Sequence, residues 1–107
     1  MLPTKERLTK EKDIQLVIKK GFRRKGHFFI IYVLKNNKDN HRIACVVGKK
    51  VSKSSVVRHR YQRWLREALK SLKSEIIVPS DIVVIALPSI AKALKLQDVI
   101  LDIKDVL

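Results

Sequence analysis

One domain of mixed helix and strand is what this sequence predicts, and three observations carry that expectation. Apolar residues recur at helical spacing in three places: Ile14 to Ile18, Val57 to Leu72 and Leu96 to Leu107. Three runs rich in β-branched and aromatic residues read as strands: Phe28 to Leu34, Arg42 to Val47 and Asp81 to Leu87. The order is therefore helix, two strands, helix, strand, helix. The chain of 107 residues fits a single domain over residues 1–107. A chain of this size buries roughly 60–68% of its unfolded surface, enough for one core.

The elements follow in order. Thr9 is placed to cap the first helix, with Glu11 in its first turn. Ile14, Val17 and Ile18 share one face of that helix, and Gly21 stands where a helix stops. Residues 22–26 lead through a Gly-containing turn into the first strand. The polar stretch 36–40 turns the chain into the second strand, so the two strands are expected to pair as an antiparallel hairpin. Ser54 or Ser55 caps the main helix. Along it Val57, Tyr61, Trp64, Leu65, Ala68, Leu69 and Leu72 form an apolar stripe, while Arg60, Arg63, Arg66 and Lys70 fall on the other side. Arg58 lies at the stripe's edge and points outward because the helix is just starting. The run from Asp81 reads as a strand buried on both faces and stopped by Pro88. Leu96, Val99, Ile100, Ile103, Val106 and Leu107 mark a last amphipathic helix. Strand, long helix and strand together make a βαβ crossover.

Composition narrows the function. The chain is 46% hydrophobic and 32% charged, so it folds, and its formal charge of +14 points to an anionic partner, nucleic acid or an acidic membrane. No apolar run approaches the ~20 residues of a spanning helix, and the N-terminal residues lack the apolar core of a signal sequence. Cys45 is the only cysteine, which excludes an internal disulfide and fits a reducing compartment. It reads as a small apolar residue on a strand, and the cytoplasm is the expected location.

Lys49 to Glu67 concentrates the charge. Seven basic residues, Lys49, Lys50, Lys53, Arg58, Arg60, Arg63 and Arg66, occupy one loop and one helix, with no acidic residue between Asp39 and Glu67. A solvated helix face usually balances its charge with i, i+4 pairs of opposite sign. The absence of acidic residues interleaved among these cations favours a polyphosphate against this face. No catalytic set stands out. There is no Gly-rich phosphate loop, no His/Cys cluster at metal spacing and no Ser/His/Asp set. The ten acidic residues are scattered, against the gathered carboxylates a protein-only nuclease needs to hold its metal ions. His27, His41 and His59 sit on different elements or turns, so no metal site is expected. The residues alone leave three nucleic-acid readings open: a partner of one particular RNA, a general RNA-binding or ribosome-associated protein, and a module placing the 55–72 helix in a DNA major groove.

The ordered motif resembles the small protein subunit of bacterial ribonuclease P. That family runs lysine-lysine, a short loop, Arg-Asn-Arg, a Lys-Arg pair and Arg-Glu. This chain has Lys49 and Lys50, then Arg58, His59 and Arg60, then Gln62 and Arg63, then Arg66 and Glu67. RLTKEKD, Gly21, FFIIY, RIACVVGKK and DIVVIALP also resemble family segments, so the likeness spans nearly the whole chain. His59 stands where the family usually has Asn, and Gln62 where it usually has Lys. Ile14 and Ile18 replace two Phe residues, which removes aromatic stacking from that helix.

The resemblance implies an α+β fold: a two-layer sandwich of three helices and an about four-stranded mixed sheet. It also implies a left-handed βαβ crossover, against the usual rule, as in a ribosomal protein domain. It implies a protein cofactor of the ribonuclease P ribozyme, an endoribonuclease that removes the 5′ leader of precursor tRNA. Catalysis and the magnesium ions would belong mainly to the RNA, with no catalytic or metal-ligating residue on the protein. The implied partners are the catalytic RNA and precursor tRNA, with no membrane and no obligate protein partner. Lys49, Lys50, Lys53, Arg58, His59, Arg60, Arg63 and Arg66 would contact RNA. Ile14, Ile18, Ile30 and Tyr32 would line a leader cleft, with plain core packing equally open for Ile14 and Ile18. Strand alternation puts Ile30 and Tyr32 on one face and Phe29, Ile31 and Val33 on the other.

Overall fold

The computed structural model describes residues 8–36, 38, 40–71, 79–92 and 96–106. Leu72 and Leu107 of the expected apolar stripes lie outside the described residues, as do Asn37 and Asp39 of the expected polar turn. Eight elements follow one another: α1 (Glu11–Lys20), β1 (Phe22–Lys25), β2 (Phe29–Lys35), β3 (Arg42–Val46), α2 (Ser55–Ser71), β4 (Ser80–Ala86), a 3-10 turn (Pro88–Lys92) and α3 (Leu96–Val106).

Charge at both ends favours α1. Glu11 and Asp13 lie at its positive end, and Lys19 and Lys20 at its negative end. Thr9 is not its cap. Leu8 is buried and donates its N–H to the Ile43 carbonyl (2.9 Å), which holds the chain extended along β3. The helix consequently starts later, with Lys10 as N-cap and no side-chain cap. Gly21 ends α1 at φ −73°, ψ 161°, which any residue can adopt. Glycine is needed there for space, because a Cβ would press into the Val17 carbonyl and lie 3.1 Å from that of Val33.

The sheet order is β1-β2-β4-β3. β2 is antiparallel to β1 and β4, and β3 is parallel to β4. The parallel β3–α2–β4 unit is the expected crossover. The expected β2–β3 hairpin does not form, because β4 lies between the two strands. The burial of β4 explains this: six of its seven residues are buried, so it needs cover on both faces and a strand on each side. Residues 22–25, expected to lead through a turn, form an edge strand instead. All four are exposed, so they carry none of the alternation that marks a half-buried strand.

The sheet has a core on each face. Phe29, Ile31, Ile43, Cys45, Ile82 and Val84 meet Tyr61, Leu65, Ala68 and Leu69 of α2 and Val99 of α3. On the other face Val17 of α1 packs with Leu8, Ala44 and Val83, flanked by Ile14, Ile18, Tyr32, Leu34 and Ile85. Two polar anchors hold these layers. The Asp102 carboxylate of α3 accepts the N–H groups of His27 (2.9 Å) and Phe28 (3.0 Å) at the β1–β2 turn. On the α1 face Arg42 grips Asp81 with two hydrogen bonds (2.8 and 2.6 Å) and reaches Asp13 of α1 at 3.7 Å.

Candidate nucleic-acid interface

The basic motif starts where β3 ends. Lys49 and Lys50 stand exposed on a turn closed by the Val51 N–H donating to the Gly48 carbonyl (3.1 Å). Ser54 caps α2, its hydroxyl accepting the Val57 N–H at 3.4 Å. The first turn of α2 contains no acidic residue. The N–H groups of that turn meet no carboxylate and therefore add positive potential to that of Lys49, Lys50 and Lys53, the arrangement that favours a phosphate.

Two sides of α2 carry charge in different settings. His59, Arg60, Arg63 and Lys70 are exposed, as is Val56, which keeps 77% of its surface open among them. Arg60 lies over the rings of Tyr61 (5.3 Å) and Trp64 (5.9 Å), which steadies its guanidinium. Arg58, Gln62 and Arg66 are one turn apart and half-buried on the flank toward β3. Gln62 makes a long 3.5 Å contact from its amide to the Cys45 carbonyl. The residue that departs from the lysine of the resembled motif thus faces the sheet edge, where a charge would be costlier to desolvate. Cys45 itself is buried, and burial pushes its thiol up to about 12, with nearby Arg66 opposing the shift. It is an inert part of the core.

Among the described residues, the ion pairs join Arg42 to Asp81 and to Asp13, and none involves the eight motif residues. His41, by contrast, is buried and accepts the Ser80 N–H on its Nδ1 (3.0 Å), a structural role. Among the described residues no three His, Cys, Asp or Glu side chains gather in a way that could hold a metal ion. No helix there is long and apolar enough to cross a membrane.

The α1 face of the sheet offers a second surface. Arg42 to Asp13, Leu8 to Ile43 and Gly21 against Val33 place α1 over the end where β2 finishes and β4 begins. The other end stays open. There the register aligns Lys25, Ile30, Ile85 and Val46 in one cross-strand row, exposed at its two ends and half-buried between. The row spans three strand spacings, about 14 Å. In the next row Arg23 stands beside Tyr32. Ile14, Ile18, Ile30 and Tyr32 therefore do share this face. Ile14, Ile18 and Tyr32 pack against the smaller core and remain partly open, so they serve packing while keeping part of their surface accessible. Ile85, Val46, Arg23 and Lys25 also border the open face, and sequence reasoning missed them. The first two join it only because β4 separates β2 from β3. The last two were hidden by reading β1 as a turn.

The molecule thus carries a basic helix without ion pairs among the described residues and a half-open apolar sheet face, with Lys49 and Lys50 just beyond the β3 edge. Comparison with known proteins bears on this pairing. The family model described as Ribonuclease P matches residues 2–107. A protein of Lactobacillus gasseri named Ribonuclease P protein component is 40% identical over 83 residues, which are 77% of this chain and 68% of that protein. The solved RNase P protein of Staphylococcus aureus superposes with a TM-score of 0.80 at 31% identity, covering 94% of this chain and 91% of that one. The RNase P protein of Thermotoga maritima gives 0.81 at 28% identity, covering 95% and 94%.

Proposed function

This chain belongs to the ribonuclease P protein family, and from that premise we propose that it is the protein cofactor of a ribozyme that removes the 5′ leader of precursor tRNA. In this reading the catalytic RNA binds the turn and helix bearing Lys49, Lys50, Lys53, Arg58, His59, Arg60, Arg63 and Arg66. The single-stranded leader lies in the groove floored by Ile30 and Tyr32 and walled by Ile14 and Ile18. The reaction takes place in the cytoplasm.

One observation carries the reading. Seven cations without an ionic partner among the described residues sit on one turn and one helix, beside a groove that is apolar but not closed. The cations suit phosphates, whereas Tyr32 and the aliphatic floor suit the faces of unstacked bases. The physical task is to bring one polyanion to another. Each phosphate neutralised by the protein releases counterions and lowers the repulsion between substrate and ribozyme. Less magnesium is then needed to screen them. Magnesium held mainly by the RNA would supply the cleaving chemistry. The protein's own side chains bind and orient.

Cleavage of a precursor tRNA at low magnesium tests this. The protein, a bacterial ribonuclease P RNA, and the two together are compared. Cleavage at the leader junction only with both present supports the cofactor role. Cleavage by the protein alone, or no gain from adding it, refutes that role.

A further inference from the structure

The exposed edge strand β1 borders the open face, but no binding role has yet been given to its cations. Its residues alternate across the sheet. Phe22 and Arg24 lie on the α2 side, with the Arg24 guanidinium 4.9 Å from the Phe22 ring centre. Arg23 and Lys25 lie on the α1 side, where their register partners are Tyr32 and Ile30. Both are exposed and neither is ion-paired among the described residues. The carboxylates of that face, Asp13 and Asp81, are engaged by Arg42 at the opposite end of the sheet.

We infer that Arg23 and Lys25 form a phosphate-binding rim at the β1 end of the groove, holding single-stranded leader nucleotides that have crossed the row Ile30, Ile85 and Val46. The inference rests on the leader reading above and extends it. Charge complementarity selects the occupant. The floor of the row is apolar, and lysines stand at both ends: Lys25 on β1, and Lys49 and Lys50 just beyond β3. A strand whose bases rest on the floor and whose backbone meets cations at each side matches that pattern. A row about 14 Å long accommodates only a few nucleotides, so the rim on β1 serves the part of the leader farther along the groove.

The test uses holoenzyme reconstituted from the full chain and a ribonuclease P RNA, with precursor tRNAs bearing short and long leaders. Affinity is measured between 50 and 200 mM salt. Arg23→Gln with Lys25→Gln removes two contacts to single-stranded RNA and flattens the log–log salt slope for the long leader by about 1.4. Its loss of affinity over that fourfold salt range is then about sevenfold smaller than the wild type's. Affinity for mature tRNA and for the RNA subunit stays unchanged, which also shows that the variant is folded. Arg24→Gln removes one charge on the other face, as either single variant does on this one, and leaves the slope alone. The rim is overturned by an unchanged slope in the double variant. It is equally overturned if Arg24→Gln flattens the slope as much as Arg23→Gln or Lys25→Gln singly. If Tyr32→Ala still abolishes leader preference in those cases, the groove reading survives without the rim. A wild type indifferent to the leader overturns both.

Discussion

Replacing Arg60 and Arg63 by alanine should weaken binding to the catalytic RNA and reduce its salt dependence by a calculable amount. If the turn and helix neutralise six to eight phosphates, the wild-type log–log slope is roughly −4 to −7. Removing two contacts flattens it by about 1.4 for single-stranded and about 1.8 for duplex-like sites. Over 50 to 200 mM salt, the double variant should lose about 7- to 12-fold less affinity than the wild type. The two positions are not equivalent. Arg63 is exposed and has no ion pair or ring contact among the described residues, so its loss reads as charge. Arg60 also lies over Tyr61 and Trp64, a contact worth about 0.5–1 kcal/mol in an exposed setting. Arg60→Lys keeps the charge while weakening that contact, and should restore the slope but not all the stability. Titration of a labelled RNA subunit at several salt concentrations, with urea unfolding of each variant, separates the two effects. An unchanged slope in the double variant would remove this helix from the interface.

Four further outcomes follow from the same geometry. Tyr32→Ala should cut the preference for leader-bearing precursor over mature tRNA by about 5- to 150-fold, the range of one lost base–aromatic stack. Equal weakening of both substrates would refute a leader contact. Gly21→Ala should destabilise the fold by about 1–3 kcal/mol in urea unfolding, because its Cβ presses into the Val17 carbonyl although φ is unexceptional. A neutral result would mean that the α1 end relaxes freely. Asp102→Ala strands the His27 and Phe28 N–H groups and should cost about 1–3 kcal/mol for each one left unpaired, measured in the same way. Asp81 governs the acid limb of stability. Burial raises its pKa, but hydrogen bonds from Arg42 and Asn36 together with the charges of Arg42 and Lys38 outweigh burial and hold it below the ordinary carboxylate value. Its contribution is therefore present above the unfolded pKa of about 4 and is lost as pH falls through the lower folded value. Asp81→Asn should flatten the fall of stability below about pH 4, and an unchanged acid limb would contradict the pairing.

How legible the molecule was depends on where each signal lives. α2 was legible because its stripe from Val57 to Leu69 repeats at the helical period, and β4 because its residues are apolar on both faces. A serine cap at 54 or 55 and Cys45 as core also followed from local chemistry, and the structure selects Ser54. The partners of the strands did not. Short separation suggested that β2 and β3 pair, but the greater need of β4 for burial on both sides placed it between them. β1 went unseen for the opposite reason: an edge strand with both faces in water has no hydrophobic pattern to read. Thr9 looked like a cap until the bond from Leu8 to Ile43 delayed the helix. The interface divides the same way. The basic residues of the turn and of α2 are consecutive in sequence, so the charge cluster stood out. The groove is assembled across strands. Ile30 and Tyr32 were placed by alternation, while Ile85, Val46, Arg23 and Lys25 needed the register.

The central claim is that two different RNAs meet two different faces, and tethered cleavage tests it most directly. Cys45 is buried with its thiol pushed up to about 12, so an introduced cysteine is the thiol that reacts. Val56→Cys puts a cleaving probe among the arginines of α2, and Val46→Cys, 37% exposed in the native chain, puts one in the groove. In a holoenzyme bound to precursor tRNA, the probe at 56 should cut the catalytic RNA and the probe at 46 should cut the leader. Cuts in the leader from 56, or none in the leader from 46, would contradict the account.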